Sequence, residues 1–106
     1  MRVDRTHHID RIPSDPNQVA VASYACDLFR FSDGGLTLVG RSYESDPKDA
    51  HLLRREVGPT HVGLTARDTQ TPLFVAAVAY FRSVGMARVT WLNAEGEGYE
   101  PVPIET

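Results

Sequence analysis

The chain has one cysteine, one lysine, one tryptophan and no long apolar run. Each shortage excludes something. Cys26 alone cannot close an intrachain disulfide, and no charged-then-apolar secretory segment precedes residue 18, so a reducing, cytoplasmic setting is expected. The most apolar stretch, Leu73 to Phe81, falls well short of the roughly 20 residues that cross a bilayer, and Arg82 closes it. No membrane span is expected. Gly-x-Ser-x-Gly elbows, His-Glu-x-x-His helices and dinucleotide fingerprints are also missing; the Glu95-Gly96-Glu97-Gly98 run precedes a tail and opens no helix.

What is present suits a globular domain. At 106 residues, 42% apolar and 24% charged, the chain is expected to fold as one domain over 1–106. The net charge of −3 is uneven: Glu95, Glu97, Glu100 and Glu105 put −4 in the last fourteen residues and leave +1 on the preceding ninety-two. That balance opposes a nucleic-acid binder. Ten of the eleven basic residues are arginine, which forks hydrogen bonds to carboxylate or phosphate, although a GC-rich bacterial genome accounts for the usage as simply.

Residues 1–18 mix both charge signs with two prolines and read as a polar N-terminal arm with room for a short edge strand. Residues 19–31 alternate large and small in the period of a strand, while Asp15-Pro16 with Gln18 also resembles a helix start, leaving 15–22 open between the two. Two adjacent glycines follow. A two-residue Asp33-Gly34 turn pairs Phe31 with Leu36 and Phe29 with Leu38 on one apolar face, and sets Cys26 opposite Arg41; a phosphate loop would lead into a helix instead.

Asp46-Pro47 as cap and first helical residue, Gly58-Pro59 as stop, and Ala50, Leu53 and Val57 at helical spacing predict a helix over 47–57, with Leu52 facing away and unassigned. Residues 61–66 alternate as a short strand. Thr71-Pro72 repeats the cap device and opens a second helix to Gly85, with Leu73, Phe74, Ala77, Val78, Tyr80, Phe81 and Val84 on its core side. Residues 87–92 read as an inner strand, and 94–106 as an acidic, proline-containing C-terminal tail or edge strand. The expected class is α+β, or a small α/β: a ββαβαβ order with a β-hairpin, two helices and a mixed sheet whose later strands run parallel.

Parallel strands would gather a polar rim at the second helix N-terminus: Arg67, Asp68, Thr69, Gln70 and Thr71 after one strand, Asn93 and Glu95 after the last, with Glu44 and Ser45 nearby. The first turn of that helix has no carboxylate, so with Arg67 it suits a carboxylate or phosphate ligand. Ala76, Ala79 and Ser83 form a narrow strip suited to a homodimer contact. His7 and His8 with Asp10 are possible metal donors, but neighbours in a strand point to opposite faces; no metal and no cofactor is expected. Arg41, Lys48, Arg54 and Arg55 with Tyr24 and Tyr43 make the best case for a single-strand platform, against the chain's negative total. With no catalytic constellation, the leading expectation is a non-enzymatic module binding a protein partner or itself, of immunity, inhibitor or regulator type. The alternative is a small enzyme or ligand-binding protein using the rim.

Overall fold

The computed structural model describes residues 1–13, 21–96 and 98–102, with the backbone alone for 10–13 and 21–24. The strand-or-helix question over 15–20 therefore lies outside the described residues, as does part of the acidic tail. The elements run β1 Arg2–Pro13, β2 Val21–Asp33, β3 Leu36–Tyr43, β4 Asp49–Val57, β5 Thr60–Gly63, a 3-10 turn Asp68–Gln70, α1 Pro72–Ser83, β6 Arg88–Leu92 and β7 Tyr99–Pro101. All seven strands belong to one mixed sheet in the order β1-β2-β3-β4-β6-β7, and β5 also pairs with β4. No helix among the described residues is long and apolar enough to cross a membrane.

The expected α+β class with two helices is overturned: the fold is mostly sheet, with one α-helix among the described residues. Residues 47–57 are not a helix but the central strand β4, antiparallel to β3 and β5 and parallel to β6. The Asp46-Pro47 pair sits in consecutive turns, where Asp46 N–H donates to Tyr43 O and Asp49 N–H to Asp46 O. The Gly58-Pro59 stop is a hairpin corner joining Val57 and Thr60, with Gly58 at φ 57° and the fixed φ of proline at the second corner. Leu52, which the helical wheel leaves without a partner, is fully buried between Gly40 and Trp91. Helix-forming residues there yield to burial on a sheet, the usual outcome where tertiary pairing competes with propensity.

The hairpin forms one residue later than expected. Asp33 pairs with Leu36, Phe31 with Leu38 and Phe29 with Gly40, so Gly34 and Gly35 are the corners. Only Gly34 has a positive φ, 62°, and the shift spares Asp33 a left-handed corner. Cys26 consequently lies opposite Tyr43 and not Arg41, and it is buried. Because the pairing moves by an even step, Phe29, Phe31, Leu36 and Leu38 keep a common face.

The parallel pairing also differs. β6 runs parallel to β4, and residues 61–66 meet 87–93 only at a single parallel bridge, Leu64 with Asn93. β5 and β6 lie end to end along one edge of β4, meeting at their C-terminal ends. No crossover links β3 to β4, which form an antiparallel pair. The polar arm is largely β1, a twelve-residue edge strand antiparallel to β2, and past Cys26 the two strands run on as a ribbon beyond the last β3 pair.

Helix α1 forms as its sequence predicts. Thr71 accepts from Phe74 N–H, Pro72 takes the first position, and Leu73, Phe74, Ala77, Val78 and Phe81 are buried. Its end closes with Gly85 at φ 93°, Met86 N–H donating to Phe81 O and Gly85 N–H to Arg82 O, a Schellman arrangement. Val84, placed in the core by its periodicity, is 44% exposed because the chain leaves the helix there. Phe81 stands edge-on to Phe29 and Phe31, at 4.9 and 5.2 Å, and Leu52, Leu64, Val89 and Trp91 complete the core. This whole cluster lies on one side of the sheet.

Candidate functional site

The other side of the sheet has no helix among the described residues. Strand alternation sends there Arg30 on β2, Arg41 and Tyr43 on β3, His51 and Arg54 on β4, and Thr90 and Leu92 on β6, in register from strand to strand. A bulge at Val39/Gly40 gives β4 one extra residue, which restores the face of Arg54. Val39, fully buried, lies between Arg30 and Arg54 as cross-strand neighbours, a place where arginine stems cover apolar surface.

The polar groups on this bare face are tied together. The Arg41 guanidinium stacks over the Tyr43 ring at 4.7 Å and donates from Nη2 to the Tyr99 hydroxyl at 3.0 Å. His51 Nδ1 bonds Thr90 Oγ1 at 2.7 Å, and its ring stands 4.9 Å from that of Tyr99. Burial, and then the Arg41 charge, hold the His51 pKa below its ordinary value despite Asp49 and Asp46. Glu56 is approached by three basic side chains, Arg30 at 3.7 Å, Arg54 at 3.4 Å and His61 at 3.7 Å. Arg41 has no carboxylate partner among the described residues. Arg41, Arg54, His61 and Tyr99 border a hollow of about 390 Å3, with Leu53, Val62 and Leu92 among its apolar walls.

A second concavity, of about 280 Å3, opens on the helix side beyond the end of α1, bordered by Arg5, His7, Asp27, Ser42, Glu44 and Met86 among others. Asp27 accepts from His7 Nδ1 at 2.7 Å and from Arg5 Nε at 2.7 Å. The hydrogen bond from His7 is the largest influence lowering the Asp27 pKa; Arg5 adds to it against the opposing effect of burial. His8 points away and meets Thr6 Oγ1 at 2.8 Å, so β1 separates the two histidines as strand geometry requires. Among the described residues no group of three or more His, Cys, Asp or Glu side chains is placed to hold a metal ion.

The residues of the sequence-derived rim are partly brought together. Ala94 N–H donates to Leu64 O at 2.8 Å, so the two strand ends are neighbours. Their polar side chains, however, fix the loops. Asp68 is buried, accepts from Thr65 N–H at 2.8 Å and Thr65 Oγ1 at 3.3 Å, and pairs with Arg55 at 3.5 Å. Thr69 donates to Ala66 O, Thr71 donates to Asp68 O while capping α1, and Asn93 donates to Glu100 while accepting from Glu95 N–H. Arg67 and Gln70 are exposed. Neither concavity is bordered by any of the seven. Of the helix strip, Ala79 and Ser83 are exposed and Ala76 is half-buried.

Of the residues considered for a single-strand platform, Arg41, Tyr43 and Arg54 share the bare face; Tyr24 pairs with Asp10 in the ribbon and Arg55 belongs to the helix side. His51 and Tyr99 escape sequence reasoning because only the strand order β3-β4-β6-β7 brings them to Arg41. Comparison with known protein families, curated proteins and solved structures finds no match to any of them.

Proposed function

We propose that the chain is a non-enzymatic interaction module, of immunity, inhibitor or regulator type, that binds a protein partner through the bare face of its sheet. The observation carrying this reading is the asymmetry of the sheet: the helix side holds the whole aromatic core, while the opposite side displays Arg30, Arg41, Arg54, Tyr43 and Tyr99 in fixed contacts. Arginine and tyrosine are the side chains enriched at the energetic centres of interfaces, and side chains already ordered in the free protein lose less entropy on binding.

A photocrosslinking residue placed at Leu92 or Arg30, with a control at Val75 on the exposed side of α1, tests the reading in cells of the native host. A protein captured from the sheet positions and not from Val75 supports it. Capture from Val75 alone contradicts it.

A second reading, a small enzyme, draws on the His7–Asp27 pair, since a carboxylate on Nδ1 orients the far ring nitrogen as a base. Hydrolysis of an activated ester that a His7→Gln variant loses would favour that reading.

A further inference from the structure

We infer that the hollow between Arg41 and Arg54 is an oxyanion subsite that takes a side-chain carboxylate from an acidic segment of the protein partner. The inference rests on the interaction-module reading and names the chemistry of its contact. Two unpaired donors at the hollow point to an incoming anion. Arg41 Nε and Arg54 Nε are both out of contact with water and lack any hydrogen-bond acceptor. A buried donor without an acceptor is costly, and a carboxylate in the hollow would take Nε–H and a terminal N–H together, the forked geometry that group matches, with Arg41 exchanging its bond to Tyr99, or Arg54 its contact with Glu56, for the new partner.

Charge complementarity agrees. Arg41 and Arg54 border the hollow; Arg54 shares the carboxylate of Glu56 with Arg30 and His61, and Arg41 has no carboxylate partner among the described residues. The surplus is positive on a chain whose net charge is −3, so this face differs in sign from the molecule as a whole. Leu53, Val62 and Leu92 give an entering Glu or Asp apolar walls for its methylenes.

The aromatic rings favour a peptide over a nucleic-acid strand. A single strand binds by stacking bases on open ring faces. Here the Tyr43 ring is stacked with the Arg41 guanidinium, and the Tyr99 ring lies against His51. Each ring thus has a neighbour on it already, although Tyr99 stays 46% exposed, and the charged groups the hollow offers are the guanidiniums of Arg41 and Arg54, which match a carboxylate.

The test uses the full chain with a labelled, end-blocked hexaglutamate peptide, hexaglutamine as control, and inorganic phosphate and an octathymidylate as competing probes. Hexaglutamate alone is expected to bind, to weaken by about tenfold or more in Arg41→Gln/Arg54→Gln, and to keep its affinity in Arg67→Gln. Nitrogen NMR of the arginine Nε–H groups in the unsubstituted chain keeps the inference testable should the double variant fail to fold: the Arg41 and Arg54 signals shift on adding hexaglutamate. Unmoved signals, equal loss in Arg67→Gln, or full displacement by stoichiometric phosphate or by octathymidylate would each overturn the inference. Failure here with partner crosslinking retained at Leu92 sinks the subsite alone; crosslinking confined to Val75 sinks the module reading itself.

Discussion

Arg41 on β3 donates to the Tyr99 hydroxyl on β7 at 3.0 Å although two strands, β4 and β6, lie between theirs. The bond spans the sheet on its bare side, with His51 in register beside Arg41 and its ring against Tyr99. Two long side chains thus fasten a three-residue edge strand to the middle of the sheet. Partly exposed hydrogen bonds of this kind contribute modestly, so Tyr99→Phe is predicted to cost about 0.5–1.5 kcal/mol. A urea double-mutant cycle with Arg41→Gln checks it: the double variant should lose less than the sum of the two single losses.

Stability should fall with acid in two separate windows. The folded-state pKa of His51 lies below its ordinary 6.5, so the folded chain binds fewer protons than the unfolded one below that pH. Its contribution is intact above 6.5 and declines as the pH drops below that value toward the folded pKa. Asp27, lowered from 3.8, contributes fully above 3.8 and loses that contribution as the pH falls through its lower folded value. Thermal midpoints measured across pH should slope downward on acidification below 6.5, and His51→Gln should flatten that first slope while leaving the second.

The seat of α1 on the sheet leaves no slack at Gly40. A Cβ there would stand 2.7 Å from Phe81 Cζ, 3.2 Å from Cε2 and 3.3 Å from the His51 carbonyl oxygen. Gly40→Ala is predicted to cost about 1–3 kcal/mol through overpacking, and Phe81→Ala about 3–5 kcal/mol through the cavity it leaves. Denaturant midpoints check both. Combining them should recover part of the Gly40→Ala loss, since the obstructing ring is gone.

Asp68 is predicted to be a structural anchor. Replacing it by Ala removes two accepted hydrogen bonds and the Arg55 pair and strands the Thr65 N–H, a loss of about 2–3 kcal/mol. Hydrogen exchange should quicken at Thr65 through Phe74 and leave β2 and β3 unchanged when compared at equal distance from global unfolding.

Signals that act within a few residues were legible in the sequence. Thr71-Pro72 and Gly85 bound the helix, the alternation of 87–92 marks β6, and the shared face of Phe29, Phe31, Leu36 and Leu38 survives a one-residue shift of the turn. Asp46-Pro47 and Gly58-Pro59 misled because the same residues that cap a helix also make turns, and Asp49 to Val57 has no local feature announcing three sheet partners. The bare face was hidden for the same reason. Arg41, His51 and Tyr99 meet only once the strand order is known, whereas Arg67 to Thr71 are adjacent in sequence and turn out to bond one another.

The most direct measurement is an amide chemical-shift map of the labelled chain with the partner that crosslinking identifies. Binding through the bare face predicts shifts concentrated at Arg30, Arg41, His51, Arg54 and Leu92, with Val75, Ala79 and Arg82 on α1 unmoved. A map centred on α1, with the sheet residues undisturbed, would contradict the account.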